Sequence, residues 1–236
     1  MEIISIKTDV FTGGENIFDC ILKAKVSLSE GDIISLTSKV VALSQNRLIK
    51  ISDYGQDKEE VIELLVKQES EKVYPGDYTL TMKDGILIPR AWIDESNVPE
   101  GYLLLWPQNS YEFAKDLQQK LTQHFKIKNC GVLVTDSRCQ PLRMGVTGLA
   151  VAWYGFAGVE DVRGQKDLFQ KKLQVTRKAV ADNLASSAIL VQGEGGECTP
   201  LAIIKKAPVN FKIKDDYLKN AFINPDEDIF QAVFNF

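Results

Sequence analysis

The sequence predicts one unit of mixed strands and helices. Strand-like apolar runs broken by turn residues crowd the first half, other stretches repeat at helical period, and no internal repeat, low-complexity tract or Pro/Ser-rich linker divides the 236 residues. Residues 1–236 therefore read as a single domain with no clear internal boundary.

The elements follow in order. Residues 3–6 read as a strand, 15–25 as a helix, and 33–41 as a strand opened by the turn Glu30-Gly31-Asp32. Residues 57–69 carry Val61, Leu64 and Leu65 at helical spacing with charges opposite, which predicts a surface helix. Runs 78–82 and 86–88 flank Lys83-Asp84-Gly85, where Asp-Gly supplies the positive-φ positions of a tight hairpin. A short strand over 103–105 is followed by Asn109-x-x-Glu112, a capping box for a helix with Ala114, Leu117, Leu121 and Phe125 on one face. His124 falls in the last turn of that helix, a place where histidine favours the carboxyl end or the surface over a metal. Residues 131–136 read as a buried strand ending in a carboxylate. The repeat of Leu173, Thr176, Val180, Leu184 and Ala188 predicts a long helix over 168–190 that stops at Gly193. In the acidic, aromatic tail, Phe222, Phe230, Phe234 and Phe236 predict a terminal helix docked on the core.

Composition narrows the chemistry. With 28 basic and 32 acidic residues the chain carries a net charge of -4, which argues against a sequence-independent nucleic-acid binder. The apolar runs fall short of a membrane span, and the amino terminus lacks a basic region followed by a long apolar core. Four scattered cysteines and a single histidine point to a reduced, cytoplasmic protein without a zinc site. The lone histidine also disfavours Ser-His-Asp and Cys-His nucleophiles. Carboxylates, lysines, arginines or a metal ion must carry any reaction.

Three acids stand where apolar segments give way to glycine, asparagine or hydroxyl residues: Asp94 in Ile93-Asp-Glu-Ser-Asn97, Asp136 in Val134-Thr-Asp-Ser137, and Glu194 in Gln192-Gly-Glu-Gly-Gly-Glu197. Together with a serine hydroxyl they suit Mg²⁺ or Mn²⁺ bridging to phosphates; singly, each is more often a turn former or helix cap. In residues 193–197 the glycines let backbone N–H groups approach phosphate oxygens, although such a loop also serves as a plain turn. Neither a Walker loop nor a G-x-G-x-x-G is present. Thr37-Ser38-Lys39 offers hydroxyls and a cation for phosphates, or a solvated strand end. Arg143 and Arg163, in glycine-bearing loops, read as clamps for a carboxylate or phosphate, or as partners of a loop acid.

In combination these segments resemble the coenzyme F(420)-0:L-glutamate ligases, the gamma-glutamyl ligases of deazaflavin coenzyme assembly. The likeness runs in order through Gly31-Asp-Ile-Ile-Ser-Leu-Thr-Ser-Lys39, Ile93-Asp-Glu-Ser-Asn-Val-Pro-Glu-Gly101, Val134-Thr-Asp-Ser137 with Arg143-Met-Gly145, Arg163-Gly-Gln-Lys-Asp167, Leu173-Gln-Val-Thr176 with Ala179-Val-Ala-Asp-Asn-Leu184, and Gly193-Glu-Gly-Gly196. The resemblance implies an α+β fold of mixed sheets with packed helices, an intertwined homodimer, GTP or ATP as phosphate donor and two divalent ions. By motif match Asp94 and Asp136 would hold the first ion, and Ser137 and Glu194 the second. Ser38, Lys39, Asn97, Gly193, Gly195, Gly196 and Glu197 would touch the nucleotide. L-glutamate would be joined to a deazaflavin carboxylate or, as in a bacterial branch assigned to folate metabolism, to a pterin carboxylate. The chain departs from the family pattern at Leu43-Ser-Gln-Asn-Arg47, which lacks the usual lysine, at Arg90-Ala-Trp92 in place of Asn-Ala-Gly, and at Gln140 in place of an arginine.

Overall fold

The computed structural model describes residues 1–74, 76, 78–211 and 222–234. Its centre is a five-stranded sheet in the order β1 (Glu2–Ile6), β12 (Leu201–Lys205), β2 (Asp32–Thr37), β8 (Cys130–Cys139), β9 (Val146–Tyr154). Strands β2 and β8 run parallel, and the other neighbours are antiparallel. Both faces are covered, which explains why Ile33-Ile34-Ser35-Leu36 shows no polar alternation. Ile34, Leu36, Val132 and Val134 pack with α1 (Ile17–Lys23) and α4 (Ser110–Phe125). Ile33, Leu133 and Ile204 pack with α5 (Val180–Gln192). The protein is thus α+β, as the resemblance implies.

Smaller elements complete the frame. Helix α3 (Lys58–Glu69) sets Val61, Ile62, Leu65 and Val66 on Leu103 and Leu105; Leu64, expected on that face, is exposed. Strand β3 (Leu48–Lys50) pairs with β7 (Tyr102–Leu104), and β4 (Lys72–Tyr74), β5 (Leu80–Lys83) and β6 (Ile86–Pro89) form a meander. The β5–β6 turn is the expected one, with Asp84 and Gly85 at φ 50° and 72°. All four cysteines are free. Among the described residues no helix is long and apolar enough to cross a membrane.

Four sequence expectations need correction. The strand expected over 33–41 ends at Thr37, and α2 (Ser38–Ser44) follows. Val40 and Val41 favour strands locally, but as a helix the run sets Val40 and Val41 in the main core and Ala42 and Leu43 against Leu104, and packing decides. The helix expected over 168–190 starts only at Val180, where Ala181, Leu184, Ala185 and Ala188 form the buried stripe. Before it, β10 (Val159–Asp161) pairs with β11 (Arg177–Ala179), and Leu168 and Phe169 stand in solvent. At the start of α4 no capping box forms, because Asn109 is left-handed (φ 49°) and its side chain caps nothing. Asp136 lies inside β8, which runs on to Cys139, next to a register shift between Val134 and Thr135.

In the tail, α6 (Gln231–Phe234) is a single turn, Phe222 lies against Gly85, and both Phe222 and Phe230 are partly exposed. Residues 212–221, Phe236 and the Phe234 side chain lie outside the described residues. His124 meets the rings of Phe18 and Phe125 at 5.5 and 4.9 Å, an aromatic packing role.

The sheet holds α5 by a contact that tolerates no side chain. A Cβ on Gly148 of β9 would stand 2.2 Å from the Ser186 amide nitrogen and 2.3 Å from the Ala185 carbonyl carbon. Gly148→Ala is therefore expected to push α5 off the sheet at a cost of about 1–3 kcal/mol. A calorimetric melting temperature unchanged within a degree would refute this.

Candidate active site

The carboxyl ends of the two parallel strands start the site, a position where ligands collect in open sheets. The register Thr37↔Thr135 brings Ser38, first residue of α2, beside Asp136. The Ser38 hydroxyl donates to Asp136 Oδ2, and the Ser137 amide donates to Oδ1 at 2.7 Å. Burial pushes the Asp136 carboxyl up to about 6, because those two donors and the nearby Lys39 charge only partly compensate for lost water.

Asp94 arrives from another layer. Its backbone bridges Leu104 of β7 by paired bonds of 3.0 and 2.9 Å, which fixes the carboxylate over α2. Lys39 Nζ lies 2.7 Å from Asp94 Oδ2, and the Ser96 amide donates to Oδ1 at 2.7 Å. Burial alone would raise this carboxyl; the Lys39 and Ser96 bonds outweigh it and hold it below the ordinary value. Lys39 also donates to Ser96 Oγ at 2.5 Å. A void of about 10 Å³ lies among Ser38, Lys39, Trp92, Asp94 and Asp136.

The opposite wall is the end of α5. Gly193 closes the helix at φ 80°, and a Cβ there would fall 2.4 Å from the Glu197 carboxyl carbon, so this turn requires glycine. Glu197 folds back to accept the Gly195 amide at 2.8 Å. Glu194 Oε2 accepts the Ser137 hydroxyl at 3.3 Å, linking the loop to β8. Beneath it the buried Gln192 donates to the Pro200 carbonyl at 2.8 Å, and its own carbonyl accepts the Thr199 hydroxyl at 2.6 Å.

These walls enclose a cavity of about 570 Å³. Ser38, Lys39, Asp94, Asn97, Asp136, Ser137, Gly193, Glu194, Gly195, Gly196 and Glu197 all line it, so distant segments meet as the sequence suggested. Arg143 and Arg163 do not. Arg143 sits on the exposed β8–β9 turn between the fully exposed Leu142 and Met144. Arg163 forks onto Asp161, with Nε at 2.9 and 3.0 Å from its oxygens, and this pairing holds the Asp161 carboxyl at about 2. Of the two readings open for Arg163, partnership with a loop acid is the one realised within the chain. Sequence reasoning missed residues 8–11, Gln192, Cys198 and Trp92, which also line the cavity. Only Trp92 carried a signal, its departure from the family pattern.

Among the described residues no three His, Cys, Asp or Glu side chains gather closely enough to cage a metal by themselves. The donor set nevertheless suits a hard divalent cation. Asp94 and Asp136 flank the small void, Ser137 and Glu194 add oxygens on the wall of the larger cavity, and the Asp136 carboxylate loses more hydration than its hydrogen bonds return.

Comparison with known proteins finds relatives over most of the chain. The family described as F(420)-0:Gamma-glutamyl ligase matches residues 5–206. A coenzyme F(420):L-glutamate ligase of Methanococcus maripaludis is 31% identical over 245 aligned residues, covering 98% of this chain and 97% of its own. Its namesake from Methanocaldococcus jannaschii is 31% identical, covering 89% and 90%. That of Archaeoglobus fulgidus is 28% identical, covering 78% and 79%.

Proposed function

This chain belongs to the F(420)-0:Gamma-glutamyl ligase family, and from that premise we propose that it joins the amine of L-glutamate to the carboxylate of a deazaflavin coenzyme precursor or a folate-type pterin, consuming GTP or ATP. The observation that carries the reading is the single cavity in which Asp94, Asp136 and Ser137 share the lining with the glycine loop 193–197 and its Glu194.

A carboxylate has a poor leaving group, so it must be activated before an amine can displace oxygen. The acceptor carboxylate oxygen attacks the γ-phosphorus and the nucleoside diphosphate leaves. The glutamate nitrogen then attacks the acyl phosphate, phosphate departs, and the nitrogen loses its protons to solvent. Such transfers need positioning and charge neutralisation more than covalent help. In this reading the backbone amides of Glu194 and Gly196 would meet phosphate oxygens, since Gly193 and Gly195 donate to the Ile189 carbonyl and to Glu197; Ser38 would line the phosphate path, with Lys39 as the fixed positive charge and Asn97 as a polar anchor. Among the described residues five carboxylates line the cavity against that one ammonium: Asp94, Asp136, Glu194, Glu197 and Asp9, the last paired with Lys23. A triphosphate enters such a field only with counter-charge. Asp94 and Asp136 would hold one Mg²⁺ or Mn²⁺, and Ser137 and Glu194 the other; when bound, these ions supply the charge neutralisation that phosphoryl transfer requires. Nearly full exposure of Leu142, Met144, Leu168 and Phe169 on two projecting segments further supports a homodimer, in which a second copy covers them.

The test is phosphate release from GTP and from ATP with Mg²⁺ or Mn²⁺, L-glutamate and either a deazaflavin acid or folate. Release that needs both glutamate and one acceptor supports the ligase. Nucleotide binding without release identifies instead a lapsed binding module, the reading favoured by Leu43 standing where the family has its lysine.

A further inference from the structure

Trp92 occupies a position that its backbone would rather give to glycine. Arg90, Ala91 and Trp92 follow β6 in three successive left-handed conformations, with φ of 49°, 49° and 56°. Residues with a Cβ enter that region at a cost, and glycine enters freely. The turn is locked from below, where buried Thr81 accepts the Ala91 amide at 2.8 Å and donates to the Ile88 carbonyl at 2.8 Å. Nothing in this locked backbone calls for an indole; the side chain packs on the cluster of Ile86, Ile88 and Leu149 and extends from there to Trp106 and the cavity.

That side chain is backed by a rigid surface. Trp92 stacks on Trp106 with ring centroids 4.6 Å apart and 17° between planes. Trp106 is buried, its Nε1 donates to Asp84 Oδ2 at 2.9 Å, and its carbonyl accepts Arg47 Nε at 3.0 Å. Arg47 is held in turn by Glu69 at 2.7 Å, and the same carboxylate binds Lys83 at 2.9 Å, beside Asp84 on the hairpin. Trp92 stays half-buried and lines the large cavity together with Leu43, Lys39, Asp94 and Asn97. A flat aromatic surface, fixed from behind and flanked by polar groups, suits a planar ring whose edge carries hydrogen-bonding atoms.

We propose that Trp92, backed by Trp106, is the stacking platform for a planar heteroaromatic ring of a substrate, and so a specificity-determining residue of this site. The inference rests on the ligase reading above, which supplies two sources of such a ring: the purine of the nucleotide and the fused ring of the acceptor. Both share the chemistry, and binding separates them. Wild type, Trp92→Leu and Trp92→Phe are titrated with GTP, folic acid, 8-hydroxy-5-deazariboflavin and inorganic tripolyphosphate, with thermal melts alongside.

Trp92→Leu is expected to weaken one ring-bearing ligand by about tenfold or more, to leave tripolyphosphate unaffected, and to be largely rescued in Trp92→Phe. Selective loss of GTP assigns the platform to the base; selective loss of folic acid or the deazaflavin assigns it to the acceptor, and the loss then falls on the KM of that substrate with kcat little changed. Should the leucine variant not fold, Trp92→Gly, which relaxes the positive φ, is expected to show the same selective loss. Unchanged affinity for every ligand in a folded variant overturns the platform and leaves the ligase reading standing. Parallel loss of tripolyphosphate also overturns it, since the wall and not the ring has then failed. A wild-type protein that binds none of the four overturns both.

Discussion

An Asp136→Asn variant is expected to lose ligation by about 10³-fold or more and yet to be the more stable protein above pH 6. The two effects have one origin. Asp136 stands half-buried at the end of a parallel strand pair, and desolvation pushes its carboxyl up from 3.8 to about 6. Below pH 3.8 the folded and unfolded chains both hold this proton and the group makes no difference. Between 3.8 and about 6 the unfolded chain releases the proton while the folded chain keeps it, so stability falls as pH rises. Above 6 the folded chain carries a poorly hydrated anion, a standing penalty on the order of 3 kcal/mol. Asparagine has the same shape and never ionises. Its carbonyl can accept the Ser137 amide, and its NH₂ can donate to the Ser38 hydroxyl once that hydroxyl rotates. With chelator present, the melting temperature of the variant should exceed that of the wild type at pH 8 by several degrees, and the gap should close towards pH 4. Adding Mn²⁺ at pH 8 should raise only the wild type. A gap independent of pH, or phosphate release at the wild-type rate, would remove Asp136 from the site.

That a destabilising carboxylate could be found in the sequence at all reflects how sharply β8 changes character. Val132, Leu133 and Val134 are wholly buried, and Thr135-Asp136-Ser137 follows without a spacer, so the end of the apolar run marked the mouth of the site. Gly193 was legible for the same kind of reason, since a glycine after an apolar helical stripe sets the helix end and turns the loop into the cavity. The helix-strand errors came from segments whose local preference disagrees with packing. Val40 and Val41 prefer a strand, and only the burial of α2 against two clusters makes them helical. Leu173 and Thr176 continue the period of α5 backwards, although Thr176 is exposed and Leu173 only half-buried there. Arginines in glycine-bearing loops say nothing about direction, which is why Arg163 turned to Asp161 two residues away. Trp92 was legible only as a departure, because its partner Trp106 arrives from beyond β7 and no periodicity links the two.

Replacing Lys39 by methionine is expected to move nucleotide and metal binding in opposite directions, which separates an active role from a structural one. Among the described residues Lys39 is the single cation lining the cavity, and its ammonium is shared between Asp94 and Ser96. Methionine keeps the apolar stem and removes the charge. A triphosphate then loses its one fixed counter-charge, so the KM for GTP should rise about tenfold or more at constant Mg²⁺. The acids Asp94 and Asp136, no longer facing a neighbouring ammonium, should bind Mn²⁺ more tightly when nucleotide is absent, because a like charge has left their surroundings. Side chains of Lys39 and Asp94 are 28% and 27% exposed, so water screens part of the effect and the change in Mn²⁺ affinity should be the smaller one. Steady-state kinetics gives the first quantity, and Mn²⁺ titration followed by electron paramagnetic resonance gives the second. A lysine that merely braced the Asp94 loop would, on removal, weaken both together and lower the melting temperature. Opposed movements with an unchanged melting temperature arise only if the ammonium and the divalent ion compete for the same carboxylates while both serve the phosphates.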